Sequence, residues 1–125
     1  VPINCAMGKD YGEAKLYLSE TSTGNHSLDE RAGEKNITVK TTSLNRFFDD
    51  YDIKTIDFMK VDIEGGEYMI FEDFRYFDKV KQISFEWHYG PFQFTELLRL
   101  LIKNGFIVAW FEGDNKRGKL QVVRG

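Results

Sequence analysis

The chain has 125 residues, 42% of them apolar, and a net charge of −3. That apolar share excludes a disordered chain, and the length suits one domain, 1–125, with a real core. The acidic balance gives no general attraction to nucleic acid or to an anionic membrane.

Eleven Phe, six Tyr and two Trp predict a ring-rich core, or an apolar surface that needs a partner. No apolar run reaches the roughly 18 residues of a membrane span. No segment has the charged-then-apolar pattern of a signal peptide. The single cysteine, Cys5, cannot form an intrachain disulfide and fits a reducing compartment, so a cytoplasmic location is expected. Two glycosylation sequons, at Asn25 and Asn36, read as chance matches against that background. The chain begins mid-pattern at Val1-Pro2-Ile3, as a piece of something longer would.

Val1 to Ala6 reads as the end of a strand, and Gly8 to Gly12 is turn chemistry. Glu13 to Ser19 sets Ala14, Leu16 and Leu18 against polar alternates, the period of a half-buried strand. Together the two predict a hairpin. Glu20 to Asn36 is polar and reads as a long loop. Ile37 to Thr42 is β-branched and alternating, a further strand. Ser43 or Asn45 caps a short helix, Leu44 to Tyr51.

Ile53 to Ile63 reads as the central strand, and within it Ile56, Phe58, Met59, Val61 and Ile63 make a near-continuous apolar run, the composition of a strand covered on both faces. Gly65-Gly66 allows a sharp turn, and Glu67 to Phe74 follows as a helix with Met69, Ile70 and Phe71 inward. Val80 to His88 is a second buried strand. From Pro91, the residues Phe94, Leu97, Leu98, Leu101 and Ile102 fall at i, i+3, i+4, i+7 and i+8, a helical stripe that Asn104-Gly105 ends. Phe106 to Phe111 and Lys119 to Val123 flank a polar turn as a terminal hairpin. This alternation predicts an α/β fold with a mostly parallel sheet and a C-terminal antiparallel hairpin.

The chemistry-bearing residues gather at predicted strand ends, where open α/β sheets bind ligands. Asp62 and Glu64, two apart, share a face of an extended strand, as do Glu86 and His88 on the next. Asp62, Glu64, Glu86 and His88 are therefore the catalytic candidates, suited to taking a proton from a hydroxyl. Asp62, Glu86 and His88 also make a set that a small metal-dependent enzyme would use, although no metal ligand is assigned. Lys60 reads as a buried lysine paired with Asp57, Glu86 or another carboxylate. Trp87, Tyr89, Phe92 and Phe94 are read equally as acceptor-pocket lining or core.

Asp57-Phe58-Met59-Lys60-Val61-Asp62-Ile63-Glu64-Gly65-Gly66-Glu67 resembles the FkbM-type methyltransferase signature, D-x-x-K-x-D-x-E-G-x-E, at each fixed letter. Asn4 to Gly12 looks like that family's Asn-x-Ala-x-Gly-Asp-x-x-Gly turn with one residue inserted around Lys9. Thr42-Ser43-Leu44-Asn45 resembles its Thr-Leu-Asp helix start with Asn45 replacing the usual Asp, Ile83-Ser84-Phe85-Glu86 its next strand, and Asn104-Gly105-Phe106 the approach to its terminal hairpin. The resemblance implies a class I, Rossmann-like methyltransferase fold with S-adenosylmethionine (SAM) as cofactor and a hydroxyl of a sugar or small metabolite as acceptor. It puts Ala6 and Met7 where the adenine approaches and counts Asp62 on the cofactor side.

The family's Gly-rich loop, Asp-x-Gly-Ala-x-x-Gly, does not occur in this sequence, which holds no G-x-G at all. The chain is thus expected to be a partial methyltransferase domain, matching its last two-thirds and binding SAM poorly by itself. The edge of Phe58–Ile63 is then expected to be unpaired, inviting a homodimer. The competing expectation is a non-catalytic module that oligomerises or binds a partner.

Overall fold

In a computed structural model, residues 1–18, 35–63, 65–88, 91–114 and 116–125 are described, with the backbone alone at 91 and 92. Most of the expected long loop, 19–34, lies outside them, as do Glu64 and Tyr89.

Three strands form a first sheet: β1 (Ala6–Met7), β2 (Gly12–Leu18) and β3 (Lys35–Thr42), in the order β1-β3-β2. β2 runs antiparallel to β3, with Leu16 opposite Ile37, while β1 is parallel to it. The expected hairpin between the N-terminal segment and β2 is therefore not formed. β3, the longer β-branched strand, takes the centre and offers one edge to each.

Ser43 starts helix α1 (Leu44–Asp50): its Oγ accepts the Arg46 backbone N–H at 3.1 Å. Leu44 and Phe48 face inward from it. The second sheet holds β4 (Met59–Asp62), β5 (Gln82–His88), β6 (Phe106–Gly113) and β7 (Arg117–Arg124), ordered β4-β5-β7-β6. Only β4 and β5 are parallel in it; β5–β7 and β6–β7 are antiparallel.

The expectation of a mostly parallel sheet is thus corrected to an α/β fold with mixed, mostly antiparallel sheets. The strands that α1 joins, β3 and β4, lie in different sheets, so one helical crossover, not three, links paired strands. β4 is also shorter than the apolar run that announced it. Upstream of it only Ile56 bridges to Val80, through Ile56 N–H to Lys79 O and Lys81 N–H to Ile56 O.

Helix α2 (Glu67–Phe71) ends three residues before the expected Phe74. It buries Ile70 and Phe71 but leaves Met69 exposed. Helix α3 (Pro91–Lys103) lays Leu97 and Leu101 on the sheet, with Phe94 and Leu98 packed at the margin. Ile102, expected inward, is 56% exposed, so the stripe is narrower than its periodicity implied.

The core is a chain of rings. Phe71 contacts Phe74, Phe77 and Phe85 at centroid distances of 5.4 to 5.9 Å, and Phe77 passes the contact on to Phe106. Removing such a ring, as in Phe85→Ala, costs about 3–5 kcal/mol. No helix among the described residues is long and apolar enough to cross a membrane.

Candidate functional site

Because β4 and β5 are parallel, their C-terminal ends meet at one rim, with Asp62 opposite Glu86. Alternation turns Lys60, Asp62 and Glu86 to the face away from the ring core. Lys60 reaches Asp62 Oδ2 at 3.4 Å and Glu86 Oε1 at 3.6 Å. Its expected partner Glu86 is therefore present, but its expected burial is not: the side chain is 57% exposed. β4 is an edge strand, and nothing among the described residues covers that face. Exposed pairs of this kind contribute about 0–1 kcal/mol, so they order the two carboxylates more than they stabilise the fold.

His88 does not join them. Its Nδ1 lies 3.0 Å from Oε1 of Glu67, in the first turn of α2. The same oxygen accepts the Gly65 backbone N–H at 3.2 Å. Gly65 has φ +104, a conformation open to glycine, and this aims its N–H back at the helix start. Glu67 is buried, with a side chain 4% exposed. A carboxylate so placed requires polar partners, and the imidazole and the turn amide are two. Glu67 was not a sequence candidate. The available signal was its place as the last fixed letter of the signature, heading a short apolar helix. Glu64, a candidate from the same signature, is not among the described residues.

Beside His88 a cleft of about 500 Å³ opens over the ends of β5, β7 and β6. Register builds its walls. Glu86 stands opposite Lys119, which stands opposite Glu112; one row on, Trp87 stands opposite Gly118, and Gly118 opposite Gly113. A side chain at Gly118 would come within 2.4 Å of Glu112 O and 2.9 Å of the Trp87 ring. Both glycines are thus required for the indole to lie against the β6–β7 turn. The turn is fastened by Asp114, whose Oδ1 accepts the N–H groups of Lys116 and Arg117 at 2.7 and 3.1 Å. Those two amides hold the Asp114 carboxyl below the ordinary carboxylate range. Trp87 packs on Phe94 and Phe111, and its Nε1 is buried with no hydrogen-bond partner among the described residues. Of the four rings suggested for an acceptor pocket, Trp87 lines this cleft and Phe94 backs it.

A second, apolar groove of about 360 Å³ runs along the open edge of β4. It brings Met7 and Asp62 into one lining, together with Phe47, Phe58, Met59, Ile63 and Ile70; Ala6 is not part of it. SAM presents an adenine, a ribose diol and a charged amino-acid tail. The groove suits an apolar face, but its charged groups are Lys60 and Asp62, which bind each other. The residues described here therefore do not fit the polar parts of SAM. Nor do three His, Cys, Asp or Glu side chains converge anywhere among the described residues as a metal site would require. The set of Asp62, Glu86 and His88 expected for a metal-dependent enzyme is divided between Lys60 and Glu67.

Parallel strands that end in acidic and imidazole groups, with a reversed hairpin strand beside them, define an α/β domain whose polar groups gather at the strand ends. The family model described as "Methyltransferase FkbM domain" matches residues 2–108. The chain belongs to that family of methyltransferase domains. No curated protein and no solved structure matches it.

Proposed function

We propose that this chain carries the acceptor side of a SAM-dependent methyltransferase acting on a hydroxyl of a sugar or another small metabolite. The observation that carries the reading is the FkbM match over residues 2–108. SAM supplies an electrophilic methyl group. An alcohol needs positioning, and a group to take its proton. His88 is the candidate for the proton, because it lines the cleft and a buried carboxylate fixes its ring. Asp62 and Glu86, ordered by Lys60 on the same rim, orient acceptor hydroxyls. Glu64 retains its candidacy from the signature.

The test is methyl transfer from radiolabelled SAM to a panel of sugars and small alcohols, using the protein at its native length. Labelled product is expected, with a loss of about 10²-fold or more in His88→Ala. No transfer to any hydroxyl, or an undiminished rate in that variant, overturns the proposal. Calorimetric titration of the 125-residue chain with SAM tests the division of the site. Weak or absent binding is expected; saturable micromolar binding overturns the assignment of these residues to the acceptor side alone.

A second reading, a non-catalytic module that pairs with a copy of itself, is favoured by the sheet edges. Among the described residues both β4 and β6 have one unpaired edge, and Phe58, Ile107, Trp110 and Phe111 are exposed there. Such edges template pairing with another chain. A register irregularity between Val108 and Trp110 blunts β6 and leaves β4 as the better template. Size exclusion with light scattering at micromolar concentration decides: a dimer supports this reading and a clean monomer removes it.

A further inference from the structure

We infer that the cleft over β5, β6 and β7 binds a neutral polyhydroxylated compound, and that Glu67 is the positioning residue that presents His88 to it. The binding stands on the cleft itself; only the fate of the bound hydroxyl rests on the methyltransferase reading.

The cleft has a volume of about 500 Å³, within the range of small-molecule sites. Its charges are mixed. Glu86, Glu112 and Asp114 face it together with Arg117 and Lys119. Along one cross-strand row the order is Glu86, Lys119, Glu112: acceptor, donor, acceptor. Neighbouring strands are about 5 Å apart, so the row repeats on the scale of a sugar ring. A hydroxyl both donates and accepts, and can bond to either sign in turn. The lining sets three carboxylates against two cations, with Lys60 beside Glu86 as a third, so no net positive charge draws in a phosphate or carboxylate ligand. The Gly118 and Gly113 row beside it carries no side chains of its own, and the Trp87 indole lies over it as an apolar wall.

Glu67 supplies the orientation. Its Oε1 accepts the Gly65 N–H and lies 3.0 Å from His88 Nδ1, so it acts as an acceptor that favours the Nδ1–H tautomer of the ring. Glu67 itself is buried and lines no part of the large cleft, so it acts through the imidazole.

The test uses nitrogen-15 NMR of the 125-residue chain. Two Trp and two His make the ring signals separable, with Trp110 and His26 as references. Methyl α-glucoside is the neutral probe and glucose 6-phosphate the anionic one. Saturable shifts are expected at Trp87 and His88 with the neutral sugar, and binding of the phosphate about tenfold weaker or worse. Glu112→Gln is expected to weaken the neutral sugar about fivefold. In the unliganded protein His88 should carry its proton on Nδ1. Glu67→Gln, which keeps the side chain's shape, should leave sugar affinity within about twofold while mixing the two tautomers. No saturable shift up to about 100 mM sugar, tighter binding of the phosphate, or an Nε2–H tautomer in the wild type overturns the inference. If the sugar binds and the tautomer is as stated but no methyl is transferred, the methyltransferase reading fails and this site stands. If methyl is transferred while the cleft stays empty, this inference falls alone.

Discussion

Glu67 and His88 sit twenty-one residues apart, yet Oε1 of one lies 3.0 Å from Nδ1 of the other. The contact joins the first turn of α2 to the end of β5. Glu67 also receives the Gly65 N–H, so one buried carboxylate ties together the turn, the helix and the strand end. Glu67→Ala is expected to lower stability by about 1–3 kcal/mol, because it strips partners from groups at a buried position. Glu67→Gln should cost less, since an amide oxygen still accepts the Gly65 N–H. Urea denaturation of both variants checks the order.

The glycine row under Trp87 gives a sharper steric test. At Gly118 an added Cβ meets backbone at 2.4 and 2.8 Å, which cannot yield as a flexible side chain would. Gly118→Ala should therefore destabilise by about 2–3 kcal/mol. Gly66→Ala is the control: its closest contact is the flexible Ile63 side chain at 3.1 Å. A change within about 1 kcal/mol is expected there. Equal effects in thermal unfolding would refute the close-approach account.

Arg124 closes the second sheet. Its guanidinium donates to Val80 O at 3.1 Å, to Asn104 O at 3.2 Å and to Phe77 O, and it lies 4.7 Å from the centroid of the Phe106 ring. One side chain thus joins the turn and the extended residue that lead into β5 to the chain just past α3. Arg124→Ala should cost about 2–4 kcal/mol, from several charge-assisted hydrogen bonds to backbone carbonyls. Arg124→Lys should recover part of that at most, because a lysine lacks the planar fork. Guanidinium denaturation midpoints of the two variants provide the measurement.

Asp114 sets a pH dependence. The backbone N–H groups of Lys116 and Arg117 hold its carboxyl below the ordinary value of 3.8. A depressed carboxylate contributes stability that is present above its unfolded value and lost as pH falls through the folded one. The melting-temperature gap between wild type and Asp114→Ala should therefore be constant at neutral pH and close below about pH 4. A gap that persists unchanged to pH 2 would show that the turn does not depend on the ionised group.

Several features were legible residue by residue. Ser43 was readable as a cap because capping is a contact within three residues, and its Oγ does accept the Arg46 N–H. Leu97 and Leu101 were readable as core from helical periodicity, as was Phe85 from its place in an apolar strand, while Trp87 was readable equally as core or pocket lining. The terminal hairpin followed from two strands around a polar turn. Lys60 was misread as buried because its neighbours in sequence are apolar; they pack on the other face of an edge strand, and Lys60 stands in solvent. Phe58, from the same run, is 55% exposed for a related reason: the edge it sits on is open among the described residues.

What the amino-acid sequence determined by itself is local: the turn glycines, the helix cap, the strand and helix periods, and the signature from Asp57 to Glu67 that places the chain among FkbM methyltransferase domains. Each of these depends on residues a few positions apart, within reach of backbone geometry. Only the tertiary structure decided which strands pair and in which direction, and that His88 answers to Glu67 rather than to Asp62. It also decided that Trp87 lies over Gly118 and Gly113, beside a cleft of mixed charge. The contacts of His88 with Glu67 and of Trp87 with Gly113 and Gly118 cross more than twenty residues. They arise from burying the rings of Phe71, Phe77, Phe85 and Phe106 in one core, which draws distant strand ends to a common rim.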